Sequence, residues 1–201
     1  MKFDQTQTVV QPDGLKVEYG IINGNSKVII IKAGAGGSYM GHEDKYLKMA
    51  AMLHEANGCS VICLSNYEMD SFERADLGVI RDFLARIDGE IELSYIGNSN
   101  GATQGLLTAT KYFEFQRMVL INMPLMLNFH KIKEALTRVK SEIRFVYGEK
   151  DPSYGYIPYL QNACQQEVCV ACAHVETVHG ADHNFADMLD IFLDLGRFTV
   201  R

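Results

Sequence analysis

With 201 residues, 47% of them hydrophobic, the chain can bury one sizeable core and lies near the upper end of common single-domain sizes. Twenty-five acidic residues against 19 basic ones give a formal net charge of −6, and no dense Lys/Arg block is present to track a phosphate backbone, which argues against a nucleic-acid partner. There is no apolar run of membrane-spanning length, the first residues lack the apolar core of a secretory signal, and five cysteines are an odd number for a disulfide framework; a soluble, cytoplasmic protein with free thiols is expected.

Residues 7–11 and 15–22 flank the turn tripeptide Pro12-Asp13-Gly14, so two antiparallel strands should open the sheet. After a second turn signal, Asn23-Gly24-Asn25, β-branched runs recur at 27–31, 60–64, 93–96, 118–121, 143–147 and 174–178, each patterned as a buried strand. Segments near 43–56, 71–87, 100–112, 129–139, 154–166 and 184–195 carry apolar residues at helical spacing, as in Leu77, Ile80, Leu84 and Ile87, and Gly196 should stop the last of them. Alternation of strand and helix predicts an α/β fold: one domain over 1–201, with a mostly parallel eight-stranded sheet flanked by helices and antiparallel strands at its N-terminus. About 20 residues separate the run at 118 from the run at 143, room for one helix and no lid domain.

The run at 93–96 leads directly into Gly97-Asn98-Ser99-Asn100-Gly101, and a helical stretch with Ala102, Leu106 and Leu107 follows. A serine between strand and helix projects its hydroxyl from the sheet edge only if the backbone turns sharply, which demands minimal side chains two residues away on either side. Gly97 and Gly101 meet that demand. The first N–H groups of the following helix would point at any negative charge developing on a group attacked by Ser99. This strand, turn and helix resemble the nucleophile elbow of the α/β-hydrolase family, a likeness that extends over nearly the whole chain.

A hydroxyl nucleophile needs a base within hydrogen-bond reach and a carboxylate that fixes the tautomer of that base. Asp151 follows the run at 143–147 through Gly148-Glu149-Lys150 and resembles the family's acid; Glu149 is its nearest rival. The position after the preceding strand, Asn122-Met123-Pro124, holds no carboxylate. His183, in Gly180-Ala181-Asp182-His183, is similar to the family's Gly-x-x-His base, with His179 as the alternative. Asp182 is adjacent to His183 and badly placed to orient its ring.

The segment Lys32-Ala33-Gly34-Ala35-Gly36-Gly37-Ser38 resembles the family's His-Gly-x-Gly-Gly-Ser loop, with Ala33 in the histidine position. The resemblance implies an oxyanion hole formed by the backbone N–H groups of Ala35 and Asn100. Tyr39 stands where a dinucleotide fingerprint requires its last glycine, which argues against a phosphate cradle. His42, His54, His130 and His174 show no metal spacing, and Cys164, Cys169 and Cys172 lack a second cysteine pair, so no metal or cofactor is expected.

The expected function is therefore a serine hydrolase that cleaves an ester, thioester or related acyl bond of a small molecule through Ser99, Asp151 and His183. A non-catalytic ligand-binding protein on the same fold and an acyltransferase are the alternatives, and oligomeric state is left open. Asn98 and Asn100, beside the nucleophile, are expected to shape substrate preference.

Overall fold

The computed structural model describes residues 2–10, 14, 16–67, 75–127, 129–166, 169 and 171–200. Strands β1 (Gln5–Val10) and β2 (Lys16–Ile22) pair antiparallel, as the turn signal predicts, although Pro12 and Asp13 lie outside the described residues. Six further strands, β3 (Asn25–Lys32), β4 (Cys59–Leu64), β5 (Glu92–Asn98), β6 (Arg117–Ile121), β7 (Glu142–Gly148) and β8 (Cys172–Val178), run parallel to one another. The sheet order is β1-β2-β4-β3-β5-β6-β7-β8, with β2 antiparallel to β4.

The β-branched runs occupy the middle of the sheet because both of their faces are covered. Val28 and Ile30 of β3, with Ile62 and Leu64 of β4, enter one core. Helices α2 (Ala75–Leu84), α3 (Asn100–Ala109), α4 (Phe129–Leu136) and α5 (Ile157–Gln165) close that core. The alternate residues Ile29, Ile31, Val61 and Cys63 enter a second core under α1 (Lys45–Asn57) and α6 (Leu189–Leu195). This two-residue alternation is the pleat itself. The helix after β3 and the helix after β5 thus lie on opposite faces of neighbouring strands, which opens a crevice at the carboxyl ends of β3 and β5.

Two helices begin later than their apolar spacing predicts. A short 3-10 turn, Tyr154–Tyr156, precedes α5, and α6 begins at Leu189 instead of near 184. Asp182 Oδ1 accepts the backbone N–H of Asn184 and of Ala186 at 2.9 and 3.1 Å, and Phe185 takes a left-handed φ of 55°. A local side-chain acceptor outcompetes the helix for these donors. The predicted helix at 71–87 is seen as α2, and its first residues, 71–74, lie outside the described ones.

Lys32, the last residue of β3, is buried, and its ammonium donates to the carbonyl of Ser65 at 2.6 Å and to Asp76 in the first turn of α2. Burial pulls the Lys32 pKa down and pushes the Asp76 pKa up, and each charge opposes the shift of the other. Removing one partner strands a charge in the core, whereas removing both does not. Lys32→Met should therefore cost about 3–5 kcal/mol of unfolding free energy, with Lys32→Met/Asp76→Leu costing less than that single change. Urea unfolding of the two variants measures this, and additive losses would show that the charges are not coupled.

Candidate active site

Ser99 joins β5 to α3 with φ 51° and ψ −122°, a backbone state that costs a non-glycine residue about 1–3 kcal/mol and persists only under external constraint. Its N–H donates to Ile121 O of β6 at 2.7 Å. A Cβ at Gly97 would sit 2.6 Å from Ala102 Cα, and one at Gly101 would sit 2.4 Å from Ala33 O. Both glycines are thus required by close backbone approach, and the tight turn brings the serine hydroxyl to the crevice. Tyr95 supports it from below by donating its buried hydroxyl to Gly101 O at 2.7 Å.

Three of the residues singled out in the sequence meet here. His183 Nε2 lies 3.0 Å from Ser99 Oγ, and His183 Nδ1 lies 2.5 Å from Asp151 Oδ2. With the proton on Nδ1, the ring donates to the carboxylate and accepts from the hydroxyl. The Asp151 side chain is only 1% exposed while that of His183 is 39% exposed, so the acid is sheltered and the imidazole stays open to solvent. The other Asp151 oxygen accepts Ser153 N–H at 2.7 Å, and Ser153 Oγ accepts Leu125 N–H at 3.2 Å. The carboxylate is fixed at both oxygens.

The rival acid and base pair with each other instead. Glu149 Oε2 lies 2.8 Å from His179 Nδ1 and accepts Gly180 N–H at 2.9 Å, and the His179 side chain is 95% exposed. Asp182 turns to the backbone of its own loop, and neither it nor Glu149 orients His183.

The glycine loop after β3 closes on Ser99, since a Cβ at Gly34 would lie 3.1 Å from Ser99 Cβ. The loop is held by Asn66, a buried residue with no signal in the sequence pattern. Gly36 N donates to Asn66 O at 2.7 Å and Asn66 N donates to Gly37 O at 2.8 Å. Asn66 Nδ2 donates both to Ala33 O and to Asn100 Oδ1, each at 3.1 Å, linking the loop to the start of α3. Ala35 itself is exposed on this loop.

Of the two asparagines beside Ser99, Asn98 is buried and Asn100 is half-buried. Asn98 is buried against Tyr46 of α1. Burial pushes the Tyr46 phenol up to about 12, and hydrogen bonds from Asn98 and from the Gly34 backbone oppose the shift. Asn98 is thus engaged by Tyr46, and Asn100 by Asn66.

Among the described residues no group of three or more His, Cys, Asp or Glu could hold a metal ion, and no helix is long and apolar enough to cross a membrane. Burial pushes the thiol of Cys59 up to about 11 and that of Cys164 up to about 12, so both are protonated at neutral pH.

No protein-family profile and no curated protein matches the chain. Solved structures do. Est1E from Butyrivibrio proteoclasticus is 12% identical, with a TM-score of 0.72 over 97% of both chains. A dienelactone hydrolase from Anabaena variabilis is 18% identical, with a TM-score of 0.69 over 98% of this chain and 97% of that one. A serine hydrolase without a lid from Xanthomonas campestris is also 18% identical, with a TM-score of 0.69 over 100% of this chain and 95% of that one. Their common architecture is the α/β-hydrolase fold, and this chain adopts it.

The histidine loop should be acid-sensitive. The N–H of Ala186, followed by those of Asn184 and Phe185, holds the Asp182 carboxyl below its ordinary value of 3.8. A carboxylate with a lowered folded-state pKa adds stability above its unfolded-state value, and that stability is lost as pH falls through the folded-state one. Below about pH 4, stability should fall less steeply in Asp182→Asn than in the wild type. Thermal melts across pH 2–5 test this, and superimposable curves would contradict it.

Proposed function

We propose, with the α/β-hydrolase fold as premise, that this protein is a serine hydrolase acting on an ester, thioester or related acyl bond of a small molecule. The observation that carries the reading is the continuous contact from Ser99 Oγ through both nitrogens of His183 to the buried Asp151 carboxylate, at 3.0 and 2.5 Å. Neighbours bearing the words esterase and hydrolase, among them an S-formylglutathione hydrolase from Staphylococcus aureus, support the acyl-transfer class.

In this reading His183 Nε2 takes the Ser99 proton as Oγ attacks the carbonyl carbon, and Asp151 stabilises the imidazolium that forms. The carbonyl oxygen becomes an oxyanion, for which the backbone N–H groups of Ala35 and Asn100 are the proposed donors. Each donor of this kind lowers the barrier by about 3 kcal/mol. The imidazolium then protonates the leaving alcohol or thiol as the carbonyl re-forms, leaving an acyl-serine. Water attacks next, giving its proton to Nε2, and the acid product departs as the proton returns to Ser99.

Exposed Met126 and Leu127 after β6, and Tyr154 and Tyr156 after β7, offer apolar surface at the carboxyl edge of the sheet. These residues suit a substrate with an apolar portion.

A fluorophosphonate probe should label Ser99, and p-nitrophenyl esters across a series of acyl lengths should be hydrolysed. Ser99→Ala and His183→Ala should each lower kcat by about 10⁴-fold or more, whereas His179→Ala should leave it unchanged. Equal turnover by the wild type and Ser99→Ala would overturn the proposal.

A further inference from the structure

Asn122 lies immediately after β6, fully buried, with a left-handed φ of 49°. Its side-chain amide bonds in two directions. Oδ1 accepts the N–H of Gly148, the last residue of β7, at 2.9 Å. Nδ2 donates to His183 O at 2.8 Å and to Asp182 O at 3.2 Å. One planar carboxamide therefore spans the gap between the segment that leads to Asp151 and the loop that carries His183.

That loop has no strand or helix of its own to hold it. Its backbone is restrained through its carbonyls instead: Ala181 O accepts Lys150 N–H at 2.9 Å, and Asn184 O accepts the Lys45 ammonium at 3.1 Å. With the two carbonyls taken by Asn122, every carbonyl from Ala181 to Asn184 is held by a donor from outside the loop. The Lys45 ammonium also lies 4.5 Å from the Phe192 ring centroid, which ties the loop to α1 and α6. Of these restraints, Asn122 alone engages the carbonyl of the histidine itself and the strand before the acid.

We propose that Asn122 is a positioning residue that sets the separation of His183 from Asp151 and thereby the alignment of the imidazole with Ser99. The inference rests on the hydrolase reading of those three side chains. An apolar residue of similar size would fill the space but leave the Gly148 N–H and two loop carbonyls without this partner. The loop would then be free to shift by a fraction of an ångström, which matters because proton transfer is steep in distance.

Asn122→Gly tests the idea, because glycine tolerates the left-handed backbone while losing the carboxamide. Asn122→Asp keeps the shape, the backbone tolerance and the acceptor for Gly148 N–H, and presents a carboxylate to the two carbonyls. Both variants should lower kcat for a small p-nitrophenyl ester by about 10- to 100-fold with KM unchanged. Fluorophosphonate labelling of Ser99 should slow by the same factor, and the downfield proton resonance of His183 Nδ1–H should broaden or vanish. The loss should persist well below each variant's melting midpoint.

Wild-type turnover and labelling in either variant would overturn the proposal, as would a loss that disappears when the assay is run below the midpoint. If the wild type neither labels nor hydrolyses any ester, the hydrolase reading fails. The imidazole resonance then still decides whether Asn122 holds His183 in place.

Discussion

A serine forced into a positive-φ backbone, φ 51° and ψ −122°, is the constraint on which the rest of this structure depends. That conformation survives only because the surrounding chain leaves no alternative. Strand β5 is buried along nearly its whole length and cannot shift, and α3 is drawn so close to it that Gly97 and Gly101 have no room for a side chain. Tyr95, reaching up from β5 to Gly101 O, and the Ser99 N–H bond to β6 fix the turn from two sides. The consequence is a hydroxyl standing clear of the sheet, at the crevice between the helix after β3 and the helix after β5.

Around that fixed point, two irregular loops are brought into register by buried carboxamides. Asn66 laces the glycine loop through main-chain and side-chain bonds and reaches Asn100 as well. Asn122 does the corresponding work between β7 and the histidine loop. A carboxamide suits this role because it offers donors and an acceptor in one rigid plane without introducing a charge. In the proposed hydrolase, preorganised dipoles of this kind would keep polar groups aimed before a substrate arrives.

Several charged groups, Lys32, Lys45, Asp76 and Asp151, are buried. The Lys32–Asp76 pair anchors the start of α2 to the end of β3, and Lys45 joins α1 to the histidine loop from beside the Phe192 ring. Asp151 is sealed from solvent while His183 remains partly open. In the proposed hydrolase, that asymmetry would shelter the acid and leave the imidazole within reach of a substrate. The exposed pair of Glu149 and His179 has neither the shelter nor the reach for this role.

The sequence by itself determined the sheet, the alternation of its helices and the place of the tight turn at Ser99. Runs such as 27–31 and 60–64 state their own burial on both faces, and glycines two residues either side of Ser99 state the tightness of the turn. Helix starts were less legible, because Asp182 diverts backbone donors that the apolar spacing of the last helix would assign to it. The sequence favoured His183 over His179 and Asp151 over Glu149 through the family resemblance, and the tertiary structure brings the favoured two together beside Ser99 while Glu149 and His179 pair apart from it. Only the tertiary structure revealed Asn66, Asn122 and Lys45, whose partners lie 33, 61 and 139 residues away. A hydrogen bond between a side chain and a distant loop carbonyl leaves no periodicity in the chain, so it becomes visible only when the sheet has brought its ends together.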